Sequence, residues 1–189
     1  MEDQIVYWRT LTCRRSQIHI AATARGLCFT GAWNQGFGEL AAWAEKRYAQ
    51  PVFIRDDKGL AEYAEQIQAY LDGKRTHFSF PVDLAGTPFQ LAVWQALSEI
   101  PFGSTRSYSD IAGHIQKRNA VRAVGTAIGA NPLLMVVPCH RVIGKNGQLT
   151  GYRGGLEMKK ELLILEAAGA AEHPLTTASR SQAFSSETM

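Results

Sequence analysis

The residues best placed to do chemistry centre on Cys139, in the run Met135-Val136-Val137-Pro138-Cys139-His140-Arg141-Val142. An apolar, strand-like stretch leads through a proline to a thiol and two residues able to carry positive charge. Free cysteine titrates near ~8.5, and neighbouring His⁺ or Arg lowers that value, so this setting favours a thiolate. A small core residue at a strand end is the competing reading. A nucleophilic thiol also needs a base and a group to orient it. His140 is adjacent, but successive side chains of an extended strand point to opposite faces. The pair can cooperate only if the chain bends at Pro138–Cys139. Glu166, among Leu163, Leu165 and Ala167, reads from pattern alone as a surface glutamate.

Other chemistries find little support. The chain has no phosphate-cradling glycine loop, HExxH or GxSxG. Gly144, Gly147, Gly151, Gly154 and Gly155 have the wrong spacing for a dinucleotide site. They predict two tight turns, at Lys145-Asn146-Gly147 and Arg153-Gly154-Gly155, that can direct backbone N–H groups at one small site. Cys13, His19, Cys28 and His77 could contribute to a zinc site, but their spacing is no zinc signature, and no metal is expected.

The elements that must position the thiol follow from periodicity. Ile5 and Tyr7, Ile18 and Ile20, then Leu27 and Phe29 alternate as strands, with turns at Arg14-Arg15-Ser16 and Thr23-Ala24-Arg25-Gly26. A helical pattern runs from Glu39 to Tyr48. A second, over 58–72, has Leu60, Tyr63, Ala64, Ile67, Tyr70 and Leu71 on one face and ends at Asp72-Gly73-Lys74. Phe78, Phe80 and Val82 predict one more strand. Residues 1–85 thus read as an α/β domain, a small antiparallel sheet with helices.

Residues 86–169 read as a mainly α domain. Thr87-Pro88-Phe89-Gln90 starts a helix by capping box and proline at the first position, with Phe89, Val93, Trp94 and Leu97 as its buried stripe. Ile100-Pro101-Phe102-Gly103 stops it. Ser107 and Asp110 start another helix, to about Gln116. Asn119 caps a third, carrying Val121, Val124, Ala127 and Ile128, that must end near Asn131-Pro132. Two short helices across a short turn read as a helix-turn-helix. The second is nearly bare of bulk, with Arg122 its only long charged side chain. Its small residues serve either a close approach to a partner or close helix–helix packing. A last helix spans roughly Glu157–Ala168, ended by Gly169, and residues 170–189 read as a disordered tail.

Composition sets the class. With 46% hydrophobic and 20% charged residues the chain is globular rather than disordered. Three dispersed cysteines and an acidic N-terminus without an apolar leader suit the cytoplasm rather than a secreted disulfide framework. No apolar run approaches the ~20 residues that span a bilayer. From Thr105 to Arg153 seven basic residues stand against one acid, a net +6, which leaves −3 for the rest of a chain whose net charge is +3. Charge concentrated around the thiol suits a polyanion.

The ordered set Arg122-Ala123-Val124-Gly125, Asn131-Pro132, Pro138-Cys139-His140-Arg141-Val142 and Gly151-Tyr152-Arg153-Gly154-Gly155-Leu156 resembles the O6-alkylguanine-DNA alkyltransferases. The resemblance runs from about Thr87 to Ala168, and more weakly through the N-terminal part. It implies direct reversal of DNA damage: a methyl or larger alkyl group passes irreversibly from O6 of guanine, and in some cases O4 of thymine, to the protein's own cysteine. It makes Cys139 the acceptor and His140 the base, acting through a water held by Glu166. Asn131 braces the turn. Tyr108 contacts the flipped nucleotide and helps protonate the leaving guanine. Tyr152 and the Arg153 N–H line the pocket near O6, and the carbonyls of Cys139 and Val142 receive the exocyclic amine. Arg122 enters the duplex in place of the extruded base, with Ala123 and Ala130 against DNA in the minor groove. A monomer acting on duplex DNA, with no cofactor and no membrane, is implied.

Two departures from the family pattern stand out. The turn Lys117-Arg118-Asn119 lacks the proline many members carry, and Arg153 is bulky where smaller residues also occur, which bears on large alkyl groups. Three other readings compete. A protein that flips alkylguanine without transfer would lack the acceptor cysteine. A helix-turn-helix regulator would leave the PCHR setting without purpose. A thiol hydrolase would have no use for the helix pair.

Overall fold

Alternation of apolar residues produces the first three strands of the computed structural model, which describes residues 4–13 and 16–172. Strands β1 (Gln4–Cys13), β2 (Ser16–Thr23) and β3 (Gly26–Thr30) form an antiparallel meander. The expected turn at Arg14-Arg15 lies outside the described residues. β4 (Pro51–Arg55), which the sequence reading missed, pairs parallel with β1. The sheet, ordered β3-β2-β1-β4, is therefore mixed rather than purely antiparallel. The strand expected at Phe78–Val82 does not form. Phe78 and Phe80 are buried, but only Val82 bridges to the sheet, through Leu27 N–H to Pro81 O (3.0 Å) and Asp83 N–H to Leu27 O (2.8 Å). Gly26 makes this approach possible. Its φ is +145°, and a Cβ there would stand 2.6 Å from the Pro81 carbonyl oxygen.

Helix α1 (Phe37–Glu45) places Leu40 against Val6, Ala21, Cys28 and Phe29 on one face of the sheet. Helix α2 (Ala61–Leu71) covers the other. Its Ile67, Tyr70 and Leu71 join the main core, which continues without a break into the second half of the chain through Val93, Trp94, Leu97, Leu133, Met158 and Leu162. Cys139 belongs to that same core. The thiol therefore sits where the two halves pack together.

The expected capping box forms, and the expected helix start at Ser107 proves to be a second one. Thr87 and Gln90 start α3 (Pro88–Ser98), and Ser107 and Asp110 start α4 (Tyr108–His114). The two-residue strand β5 (Arg106–Ser107) leads directly into α4. Helix α5 (Val121–Gly129) begins at Ala120 with no side-chain cap, so Asn119 does not cap it. Its stop at Ala130 is as expected before Asn131-Pro132. Trp94 Nε1 donates to Ala127 O at 2.8 Å and ties α5 to α3. Helix α6 (Gly155–Glu172) runs past Gly169, contrary to expectation. Gly169 is a packing residue there: a Cβ would come 3.1 Å from the Phe102 ring. Residues 170–172 are therefore helical, and the expected tail from His173 onward lies outside the described residues.

Candidate active site

Residues 131–143 build the site by turning sharply. Met135 takes a positive φ of 70°, and Val136 and Val137 donate back to Leu134 O and Leu133 O. The apolar stretch before the thiol is thus a buried turn rather than a strand. At Pro138 (φ −80°, ψ 59°) the chain enters a single 3-10 turn, Cys139–Arg141, and then β6 (Val142–Ile143), which pairs parallel with β5. This is the bend on which cooperation between Cys139 and His140 depends.

Asn131 braces the turn. Its Nδ2 donates to Val137 O (2.9 Å), Leu133 O (3.3 Å) and Cys139 Sγ (3.0 Å), and its Oδ1 accepts from Leu133 N–H (2.9 Å). Cys139 is 2% exposed. Burial raises its thiol pKa, only partly offset by the Asn131 hydrogen bond and the charges of Arg153 and Lys159. The neighbours expected to favour a thiolate do not do so. Burial lowers His140 and keeps it neutral, while the Arg141 charge is taken up by Glu166. The resting nucleophile is a thiol.

Glu166 is fully buried, not a surface residue. Its Oε1 lies 2.8 Å from His140 Nε2, a direct contact where a bridging water was expected. Arg141 donates to it from Nε and Nη2 at 2.8 Å each, and Gly103 N–H at 3.1 Å. Burial alone would raise this carboxyl, but the hydrogen bonds from His140 and Arg141 and the Arg141 charge hold it well below the usual range. An ionised carboxylate only accepts hydrogen bonds. His140 must therefore carry its proton on Nε2, which leaves Nδ1 as the basic nitrogen. Nδ1 has no hydrogen-bond partner among the described residues, and no hydrogen bond joins Cys139 directly to the ring.

Above the thiol lies a pocket of about 370 Å³ lined by Tyr108, Ile128, Cys139, Tyr152, Arg153 and small glycines at 125, 129 and 151. Tyr108 Oη accepts from Thr150 Oγ1 at 3.1 Å. The Tyr152 hydroxyl is buried, with no hydrogen-bond partner among the described residues. Val142 O accepts from Lys159 Nζ at 2.6 Å, and Cys139 O from Val142 N–H. Each carbonyl keeps a second lone pair.

The Arg153 side chain turns toward the N-terminal half. It donates to Asn131 O (3.1 Å), Thr30 O (2.7 Å) and Pro132 O (3.2 Å), pairs with Glu39 of α1, and stacks over Phe29. Its bulk ties the two halves of the chain together. Lys159, which the sequence reading did not single out, is buried and also donates to Thr150 O at 2.8 Å; burial lowers it to about 8. Arg122 and Ala123 on α5, and Ala130 directly after it, are exposed. Of the seven basic residues in the positive window, Arg106, Lys117, Arg118, Arg122 and Lys145 face solvent, while Arg141 and Arg153 are paired internally. The candidate zinc residues are not brought together: Cys28 donates to Ala21 O and His19 faces Thr10. No cluster of three His, Cys, Asp or Glu forms among the described residues.

A buried thiol backed by a histidine–glutamate pair, at the floor of a pocket beside a basic helix-turn-helix, defines a thiol acceptor for a group carried on nucleic acid. The family models described as 6-O-methylguanine DNA methyltransferase match most of the chain, the ribonuclease-like domain at 6–84 and the DNA binding domain at 88–168. The chain belongs to this family. It is 56% identical to the inducible methylated-DNA–protein-cysteine methyltransferase of Bacillus subtilis over 167 residues, 88% of this chain and 93% of that protein. Over 123 residues it is 48% identical to the Methanosarcina barkeri enzyme of the same name, 65% of this chain and 78% of that one. The solved structure of Mycobacterium tuberculosis OGT in complex with DNA superposes with a TM-score of 0.72 at 37% identity, covering 86% of this chain and 94% of that one.

Proposed function

We propose that this protein repairs duplex DNA by moving a methyl or larger alkyl group from O6 of guanine onto Cys139, once per molecule. The observation that carries this reading is the buried Cys139 thiol with the His140–Glu166 pair behind it, beneath a pocket walled by the helix-turn-helix.

The base must leave the stack to reach a thiol buried this deeply, at a cost of a few kcal/mol. Arg122, exposed on the small-residue helix, fills the gap left behind, while Ala123 and Ala130 let that helix lie close in the minor groove. In the pocket, Tyr152 and the Arg153 N–H face O6, and the free lone pairs of Cys139 O and Val142 O receive the exocyclic amine. The thiol proton passes through one water to Nδ1 of His140, since no direct hydrogen bond links Sγ to the ring. Glu166 stabilises the imidazolium that forms. Sulfur then attacks the alkyl carbon, the S–C bond forms, and the C–O6 bond breaks. Charge leaving on O6 meets N–H and O–H donors; Tyr108 gives the guanine a proton, and the proton held by the His140 imidazolium passes through solvent to replace it, so both side chains end as they began. A thiol and an alkylguanine become a thioether and guanine, so atoms and charge balance without a cofactor. A thioether has no easy route back to thiol.

The parts divide as an α/β domain (1–85) and an alkyl-acceptor domain (86–172, to the end of α6), acting as a monomer in the cytoplasm. No described helix is long and apolar enough to cross a membrane. The test is mass spectrometry after incubation with a duplex containing O6-methylguanine. One methyl group on the Cys139 peptide, lost in Cys139→Ala, is expected. An unmodified protein that still binds the duplex would overturn transfer, and repeated turnover on thioesters would favour a hydrolase.

A further inference from the structure

The N-terminal half contributes one side chain directly to the catalytic pair. Tyr70, on α2, is 0% exposed, and its hydroxyl donates to Glu166 Oε1 at 2.6 Å across 96 residues of sequence. The same oxygen of Tyr70 lies 3.3 Å from His140 Nε2. The ring is fixed by Phe78 and Phe102, with centroids at 5.3 and 6.2 Å. Its position is too specific for a stripe residue that merely fills space, since a phenylalanine would fill the same volume without burying a hydroxyl.

We propose that Tyr70 is a positioning residue that tunes His140: by donating to Glu166 Oε1, it limits how strongly that oxygen stabilises the imidazolium. Oε1 receives His140 Nε2–H and Arg141 Nη2–H as well as the tyrosine hydroxyl. Every donor added to one carboxylate oxygen takes a share of its charge, and less is left for the histidine. The effect keeps His140 neutral, ready to receive the thiol proton. Tyr70 acts as donor because burial and the Glu166 charge raise its own pKa well above the usual value.

The charged and titratable groups around the imidazole are few. Glu166 and Lys159 come from α6, Tyr70 from α2, Tyr152 from the loop before α6, and Cys139 and Arg141 from the turn itself. Helix α3, which also packs against this turn, carries no ionisable side chain. Removing one hydroxyl therefore changes a small and identified set.

The inference rests on the role given above to His140 as base, and its test separates the two. The rate of methyl transfer from an O6-methylguanine duplex is measured from pH 5 to 9 for the parent and Tyr70→Phe, with duplex affinity in parallel. Freed of the tyrosine proton, Oε1 holds the imidazolium more tightly, and the acid limb moves up by roughly half to one pH unit. On that limb the rate falls about three- to tenfold, while above pH 8 the two proteins converge and affinity is unchanged. Replacing Tyr70 by 3,5-difluorotyrosine keeps shape and hydroxyl but makes a stronger donor, so the limb moves the opposite way. That second variant also decides the matter if Tyr70→Phe does not fold. Superimposable profiles, or a loss that is uniform in pH, would overturn the tuning role while leaving His140 as base. A parent with no acid limb would overturn the role of His140, and this proposal with it.

Discussion

Replacing Glu166 by glutamine is the sharpest perturbation of the buried network, because it keeps shape and removes one charge. The carboxylate receives Tyr70 Oη at 2.6 Å, His140 Nε2 at 2.8 Å and Arg141 Nη2 at 2.8 Å on Oε1, and Gly103 N–H at 3.1 Å and Arg141 Nε at 2.8 Å on Oε2. A glutamine amide has one oxygen and one NH₂ group, and the latter can only donate. Whichever way it is turned, NH₂ meets donors already in place, and the Arg141 guanidinium, 7% exposed, is left without its counter-charge. Breaking a buried pair by removing one partner costs about 3–5 kcal/mol. The chemistry suffers separately. His140 loses the anion that offsets its burial, so the imidazolium becomes harder to form, and general-base catalysis worth ~10²–10⁴ is at stake. Urea denaturation should show the stability loss, and single-turnover methyl transfer, measured well below the melting point, should fall at least about a hundredfold. A variant within 1 kcal/mol and threefold of the parent would refute the network as described.

Three further outcomes follow from the same geometry. Acid should destabilise the fold in two stages. His140 has a lowered folded pKa, so the unfolded chain binds its proton first and stability falls as pH drops below about 6.5. Glu166 is also lowered, so its contribution holds above about 4.3 and is lost as pH falls through the folded value. Urea midpoints that stay flat from about pH 7 to 5 would contradict the first stage, and midpoints that stay flat from about pH 4.3 to 2.5 the second. Arg153→Ala removes the contacts to Glu39, Thr30, Asn131 and Pro132, so a loss of about 2–4 kcal/mol and a slower transfer are expected, read by denaturation and single-turnover rate. Arg122→Ala, at an exposed site, should leave stability within about 0.5 kcal/mol. It should slow transfer from duplex DNA about tenfold or more, since base extrusion costs a few kcal/mol, and leave transfer from the free base O6-methylguanine unchanged.

What the sequence made legible was local. Two capping boxes fixed the starts of α3 and α4 because a Thr or Ser and its partner three residues on satisfy each other's backbone. Asn131-Pro132 fixed the end of α5 by sterics alone. β4 escaped because it opens on proline and pairs parallel with residues 47 positions earlier, Gln4 with Pro51 onward, which no local alternation reports. Gly169 read as a stop, but tertiary packing against Phe102 selected it instead. Within the site, Cys139 was legible as a candidate from its neighbours, while the roles of His140 and Asn131 came from the family resemblance. The roles of Tyr70, Lys159 and the Arg153 side chain were not legible, since each depends on which distant backbone or carboxylate the fold delivers. The protonation state of the thiol depended on burial, which adjacency in sequence does not measure.

One count tests alkyl transfer to Cys139 most directly: guanines restored per protein molecule in a large excess of duplex carrying O6-methylguanine, with the modified peptide identified by mass. The structure predicts that restoration stops at one guanine per molecule, with every methyl group recovered on Cys139. Continued restoration beyond one equivalent, or methyl groups found on another residue, would contradict it.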